Sequence, residues 1–378
     1  MTPSEHLEAA LARAVASRKS AVRDPANLGR VERVGRNPQN RACARLVMAC
    51  MLAKLDQPAV DPRRPYTEIP EAGAFSGRTY DEGYVTRFVS EHKLPCNSTT
   101  AFLTPALRNI DYTLTPDRAV IGRPRELYAD ALHLLQEVAL GKETAKAVLT
   151  DLLRVLHQVR LEHETRLAAL QAELQVSRAS GALPLSSEGI VTLLQQHLAC
   201  PNSSRLPVLI VVAAYRSVAT QLGEKVEPLS AHNAADEQTG AVGDVEIRLV
   251  SDGRVCTVYE MKRKAVTRDD IDRALQKVAR AAPQPDNYIF VTTEAIERAV
   301  RDYAAALYAG TGGIEFAVLD CVGFLRHFLH LFHRHRTAFL DVYEALVLAE
   351  PDSAVSFDLK QAFLALRGAA MQPPAAGE

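Results

Sequence analysis

The sequence predicts a chain of mixed α+β or α/β class: a small mixed sheet flanked by helices in its C-terminal half, behind a largely helical N-terminal region. Three observations carry this expectation. Residues 243–262 alternate apolar and polar side chains around an Asp252-Gly253 turn, the period of two of a half-buried hairpin. From residue 267 onward, helical and strand patterns alternate. Through most of residues 1–180, apolar residues recur at helical spacing instead.

Taken in order, residues 4–22 put Leu7, Leu11 and Val15 on one helical face, and Asp24-Pro25 reads as an interruption. Residues 39–55 form a strongly apolar helix with Ala42, Leu46, Val47, Met51 and Leu52, closed by the loop Asp61-Pro62-Arg63-Arg64-Pro65. Residues 124–178 read as two long helices broken at Gly141, the second exceeding thirty residues and serving as scaffold between domains, dimer contact or, most plainly, core. Residues 177–185, with Gly181 and Pro184, read as a linker, so domains are expected at 1–180 and 186–370.

In the second domain, Ser186 or Ser187 caps a helix to Ala199, and residues 206–222 form a very apolar second helix. Residues 224–239 read as mostly polar loop holding His232, Asn233, Asp236 and Glu237, with a short strand at 226–229. After the hairpin comes a helix at 267–282, capped by Thr267 with Asp269 and Asp270 in its first turn. A buried strand at 288–292, a helix at 294–309 and a strand at 314–319 follow. Helices at 321–348 and 357–368 pack onto them.

The hairpin carries the chemistry. Val245, Ile247 and Leu249 face inward against Glu246 and Arg248, and the returning strand ends in Glu260-Met261-Lys262. Strand side chains alternate, so Glu260 and Lys262 share a face and Met261 enters the core. A turn near Gly253 brings Asp244 back towards Glu260. Two carboxylates supply hard oxygen ligands for Mg²⁺, which keeps waters and shares phosphate oxygens. A lysine beside them orients or helps deprotonate a metal-bound water and offsets charge on the attacked phosphate. The plainer reading is a surface hairpin with an ion pair. Glu91-His92-Lys93 repeats the triplet without a preceding acidic hairpin, so flanking order carries the argument.

Asp244 followed by Glu260-x-Lys262 at the end of the next strand resembles the PD-(D/E)xK nuclease superfamily, the fold of many type II restriction endonucleases. The resemblance implies Asp244 and Glu260 as metal ligands, Lys262 as the catalytic lysine, and the main-chain carbonyl of Met261 as a further ligand. It implies a restriction-endonuclease-like core spanning roughly residues 186–348. The departure is Gly243, where the motif has proline.

A second stretch is dense in short polar groups, arginines and aromatics. It contains Arg78 and Thr79, then Asn97, Thr99, Thr100 and Arg108. Asn and Arg read adenine and guanine edges in two-point fashion, and Thr contacts phosphate or a thymine methyl. Ordinary turns and caps explain the same composition, with residues 97–100 capping a helix. The stretch also resembles restriction enzymes of the SacI-like family, which implies that these six residues contact DNA.

Composition limits the alternatives. At 378 residues the chain is long enough for two cores, and its 47% hydrophobic and 24% charged residues exclude the disordered class. No apolar run reaches the roughly 18 residues of a membrane helix, and the Met-Thr-Pro-Ser-Glu-His start lacks a signal-peptide pattern. Six cysteines scattered without paired spacing point to a reducing cytoplasm rather than a disulfide framework, and the resemblance implies a bacterial one. Net charge is −1, yet residues 1–64 hold twelve Lys/Arg against six Asp/Glu, including Arg30, Arg33, Arg36, Arg41 and Arg45. That excess reads as a phosphate footprint or, more plainly, as a solvated helix. His327, His330, His333 and His335 cluster without a Cys or carboxylate at zinc-ligand spacing, so a His/Arg-rich surface helix is expected there. No Walker-A or Gly-x-Ser-x-Gly sequence supports ATP-driven or serine-hydrolase chemistry.

The resemblance implies a Mg²⁺-dependent restriction endonuclease cutting double-stranded DNA as a homodimer, since a palindromic site mirrors a two-fold axis. A cognate DNA methyltransferase is its implied functional partner. The alternatives are a repair or recombination nuclease of the same fold, or a DNA-binding protein with a nuclease-like but inactive core.

Overall fold

The computed structural model describes residues 1–371 apart from 18, 39–40, 98, 119–121, 180–182 and 228–241. The protein is mixed α+β with one five-stranded mixed sheet among the described residues. It forms two compact units, Met1–Arg166 with Pro351–Ser353, and Leu167–Glu350 with Ala354–Glu378.

The first unit is helical. α1 (Pro3–Ala16) starts with a capping box in which Thr2 and Glu5 satisfy each other's end of the helix. It stops well short of the expected residue 22. Asp24-Pro25 does not merely interrupt: Asp24 caps α2 (Pro25–Arg36) and proline occupies the first turn, where it has no hydrogen bond to lose. α3 (Ala42–Asp56) is buried on every side from Ala42 to Ala53, which makes it the axis of this unit. Short helices α4 (Gly77–Tyr80) and α5 (Thr86–Glu91) flank a π-turn over Asp81–Val85. α6 (Arg125–Ala139) and α7 (Ala145–Ala179) complete it, separated at Gly141, whose φ of +71° favours glycine.

The division between units falls inside α7 rather than at 177–185. Its residues up to Val159 pack in the first core, whereas Leu167, Leu170 and Leu174 belong to the second. Gly181 of the expected linker lies outside the described residues.

The second unit opens with α8 (Ser187–Leu198), capped by Ser186, and α9 (Leu206–Leu222), buried from Leu206 to Ala214. The sheet is β1 (Glu224–Val226), β2 (Val245–Leu249), β3 (Val255–Lys262), β4 (Asn287–Thr292) and β5 (Glu315–Asp320), in that spatial order. Neighbours β1, β2 and β3 run antiparallel, and β3, β4 and β5 run parallel. The first strand begins two residues earlier than expected, while residues 228–229 and His232, Asn233, Asp236 and Glu237 lie outside the described residues. α10 (Arg268–Arg280) and α11 (Arg298–Gly310) supply the parallel crossovers. α12 (Cys321–Leu331), α13 (Arg336–Ala349) and α14 (Phe357–Met371) end the described chain.

Strand alternation sends side chains to two separate cores. Val245, Ile247, Tyr259 and Val291 join the helices around α9, with Met261 packed at the margin. Val258, Tyr288, Phe290 and Phe316 face α10 and α11. Glu260 and Lys262 follow Val258 at steps of two and so lie on the α10 side.

Candidate active site

The hairpin turns at Gly253, whose φ is +73°, and its register sets Val245 opposite Tyr259. The next pair outward is Asp244 and Glu260. Asp244 Oδ2 accepts a hydrogen bond from the Met261 main-chain N–H at 2.7 Å, fastening the start of β2 to the end of β3. Asp244 is exposed, whereas Glu260 and Lys262 are half-buried. Asp244, Glu260, Met261 and Lys262 therefore meet at one end of the sheet, as the alternation predicts.

Gly243 has a steric reason. A Cβ there would lie 2.5 Å from Val258 Cγ1 and 2.8 Å from the Tyr259 carbonyl oxygen. The chain crosses β3 too closely for any side chain, so a proline in this position would collide with β3.

Glu260 is held from three directions. Lys262 Nζ lies 2.6 Å from Oε1, and Lys277 Nζ of α10 lies 3.6 Å from Oε2. The buried Tyr288 hydroxyl, on β4, donates to Oε2 in a very short contact and lies 3.2 Å from the Val242 carbonyl. Lys262 also sits 3.4 Å from Asp270. Burial draws the Lys262 pKa down, but the Glu260 hydrogen bond and charge, aided by Asp270, outweigh it and raise the pKa. Burial pushes Asp270 up, yet hydrogen bonds from Thr267 and then Arg273, with the Lys262 charge, bring it down to about 2. Thr267 and Asp270 form the capping box that fixes α10 against the site.

Sequence reasoning missed Tyr288 and Lys277. Tyr288 sits opposite Val258 in a parallel pairing that no local pattern announces. Its only signal is a hydroxyl at the head of the apolar run Ile289-Phe290-Val291.

The six residues expected to contact DNA belong to the first unit. Thr100 is corrected: it is 5% exposed, its hydroxyl donates to Asp81 at 2.7 Å, and it caps the turn at Phe102. It supports the fold and cannot face a ligand without leaving that network. Asn97, Thr99 and Arg108 are exposed; the Asn97 main-chain carbonyl accepts from Arg45 at 2.6 Å, and the Arg108 main-chain N–H donates to the Thr104 carbonyl at 3.0 Å. Exposed Arg78 pairs with Glu82 at 2.8 Å, and Thr79 donates to Ser76 at 2.7 Å.

The five arginines singled out in residues 1–64 are also spent within the protein. Arg33 clasps Asp130 through bonds of 2.7 and 2.8 Å, Arg36 bridges Glu32 and Glu162, and Arg45 is sealed against Asp81. Arg41 is buried against the Gly35 carbonyl, and Arg30 binds Asn27. Among the histidines, exposed His330 donates to Glu188 at 2.9 Å, and that bond followed by Arg326 lowers the Glu188 pKa. Among the described residues, no three His, Cys, Asp or Glu gather as a ready-made metal cluster. Glu91-His92-Lys93 ends a helix and has no strand beside it in sequence.

No protein-family model matches the chain, and no curated protein matches it.

Proposed function

We propose that the chain is a Mg²⁺-dependent endonuclease of the PD-(D/E)xK superfamily, hydrolysing phosphodiester bonds of double-stranded DNA at a specific site. The observation that carries the reading is the Asp244 carboxylate seated on the Met261 N–H, gathering Asp244, Glu260 and Lys262 at one strand end. The succession of hairpin, helix, strand, helix and strand from β2 to β5 supports it, being the order expected of that superfamily's core.

The donor set fits the cation. Mg²⁺ is typically held by one or two carboxylates and keeps several waters. Asp244, Glu260 and the Met261 carbonyl would hold it, and bound there it would polarise a phosphate oxygen and acidify a water. Lys262 brings a compact positive charge that offsets charge on the attacked phosphate. Tyr288 and Lys277 hold Glu260 in place. A restriction role adds a two-fold pair of chains on a palindrome and a methyltransferase protecting the same site.

The test is incubation of the chain with mixed plasmid and phage DNA, with Mg²⁺ and with chelator. Discrete Mg²⁺-dependent bands support a restriction enzyme. A smear means a nonspecific or repair nuclease on the same fold. Bound but intact DNA overturns catalysis and leaves a DNA-binding protein.

A further inference from the structure

We infer that Arg263 and Lys264 form a phosphate-backbone contact beside the candidate active site, gripping the DNA strand next to the bond to be cut. The inference rests on the nuclease reading and adds where the polyanion lies.

Immediately after Lys262 the chain bows outward for three exposed residues, Arg263, Lys264 and Ala265, and then returns with buried Val266. Both ends of the bow are fixed. Lys262 is paired in register with Thr292 of β4, and Thr267 caps α10. The bow is pinned in the middle too, because the buried Thr292 hydroxyl donates to the Lys264 main-chain carbonyl at 3.2 Å. The same hydroxyl accepts from the Glu294 N–H at 3.1 Å, so its position is set from both sides.

Two long cations thus leave a backbone that is held rigid. Neither makes a hydrogen bond or ion pair through its side chain within the described residues, unlike Lys262, Arg273 and Lys277 around them. Unpaired cations on a fixed backbone, next to a cluster proposed to hold a phosphate, suit the neighbouring phosphates of the same strand. Such contacts read no sequence and position the duplex.

The experiment measures binding of a duplex to the full chain in Ca²⁺, across a series of salt concentrations. Each phosphate contact contributes a slope of about −0.9 in log affinity against log salt. R263A/K264A is expected to flatten that slope by about 2, equally on all sequences, with the melting temperature unchanged. The charge-keeping pair R263K/K264R is expected to restore it. An unchanged slope in R263A/K264A, or a slope lost equally in R263K/K264R, overturns the inference while wild-type cleavage leaves the nuclease reading standing. A wild-type chain that neither binds nor cuts DNA overturns that reading, and the inference with it.

Discussion

Two tight clusters of opposite charges, one from each unit, are built from similar groups to opposite effect. In the first, Arg45 and Asp81 are wholly removed from solvent and 2.7 Å apart. The guanidinium also donates to the Asn97 carbonyl and the Thr86 hydroxyl, and the second Asp81 oxygen accepts from Thr100 and the Ala101 N–H. Every strong donor and acceptor has a fixed protein partner. In the second, Glu260 and Lys262 keep 13% and 27% of their side-chain surface, and Asp244 is open to solvent. The cations there are lysines, whose point charge moves between partners more readily than a guanidinium fork. A saturated, sealed cluster specifies a fold. A reachable one at a strand end, with carboxylates that can exchange partners, can do chemistry.

The largest expected effect strikes the sealed cluster. Asp81→Ala strands the buried Arg45 charge and the Thr100 hydroxyl, and removing one partner of a buried pair costs about 3–5 kcal/mol. Chemical denaturation should show this in the first unit's transition. A cost below about 1 kcal/mol would mean that water reaches the pair and that the contrast between the clusters is false.

A sealed titratable group in the second unit sharpens the same contrast. His197 is buried, donates from Nε2 to the Leu359 carbonyl and accepts at Nδ1 from the Tyr343 hydroxyl, which fixes its neutral tautomer. Burial lowers its pKa from 6.5 to about 4, the Leu359 bond resisting. The unfolded imidazole therefore binds a proton more readily. Stability is unaffected above about pH 6.5 and falls as pH drops towards 4, by about 1.4 kcal/mol per unit and about 3 kcal/mol in all. Denaturation midpoints for wild type and His197→Gln across that window measure it. If both fall alike, the loss belongs to other groups.

Much of this architecture was legible locally. Ser186 and Thr267 announce helix starts because a cap acts within three residues. The hairpin announces itself by alternation and a Gly253 turn. What stayed hidden depends on partners distant in sequence. Thr100 and Arg45 look like ligands for DNA until Asp81 is brought between them, at separations of 19 and 36 residues. Polar density in a sequence therefore does not separate groups saved for a ligand from groups consumed by the fold. Asp244, Glu260 and Lys262 were readable because strand geometry, rather than composition, brings them together.

Breaking the reachable cluster should leave the fold and remove the chemistry. Lys262→Ala is expected to slow single-turnover DNA cleavage at least ~10²-fold, the scale of a positioned acid–base group. Affinity for DNA in Ca²⁺ should change far less, because both carboxylates remain. A structural ion pair predicts instead normal cleavage and a stability loss of ~0–1 kcal/mol. Full activity with a slightly lowered melting point would falsify the role assigned to Lys262.

The smallest effect tests the one place where the two designs meet, a sealed group acting on a reachable one. Tyr288 is fully buried among Phe290 and Phe316, yet its hydroxyl reaches Glu260 and lies beside the Val242 carbonyl, two residues before Asp244. A phenol has one proton, so the short contact with the carboxylate takes it. Tyr288→Phe keeps the ring and its packing and removes only that bond, whose net worth to a charged acceptor is about 1.5–3 kcal/mol. Part of this is recovered, because Lys262 and Lys277 still hold Glu260. The remainder should emerge as a looser carboxylate: a Mg²⁺ midpoint for cleavage raised about 5–10-fold, with Mn²⁺ binding by calorimetry weakened in step and DNA affinity in Ca²⁺ little altered. Were Tyr288 only a packing residue, the phenyl ring would serve as well. The melting point would then shift slightly, and both metal titrations would overlay those of wild type.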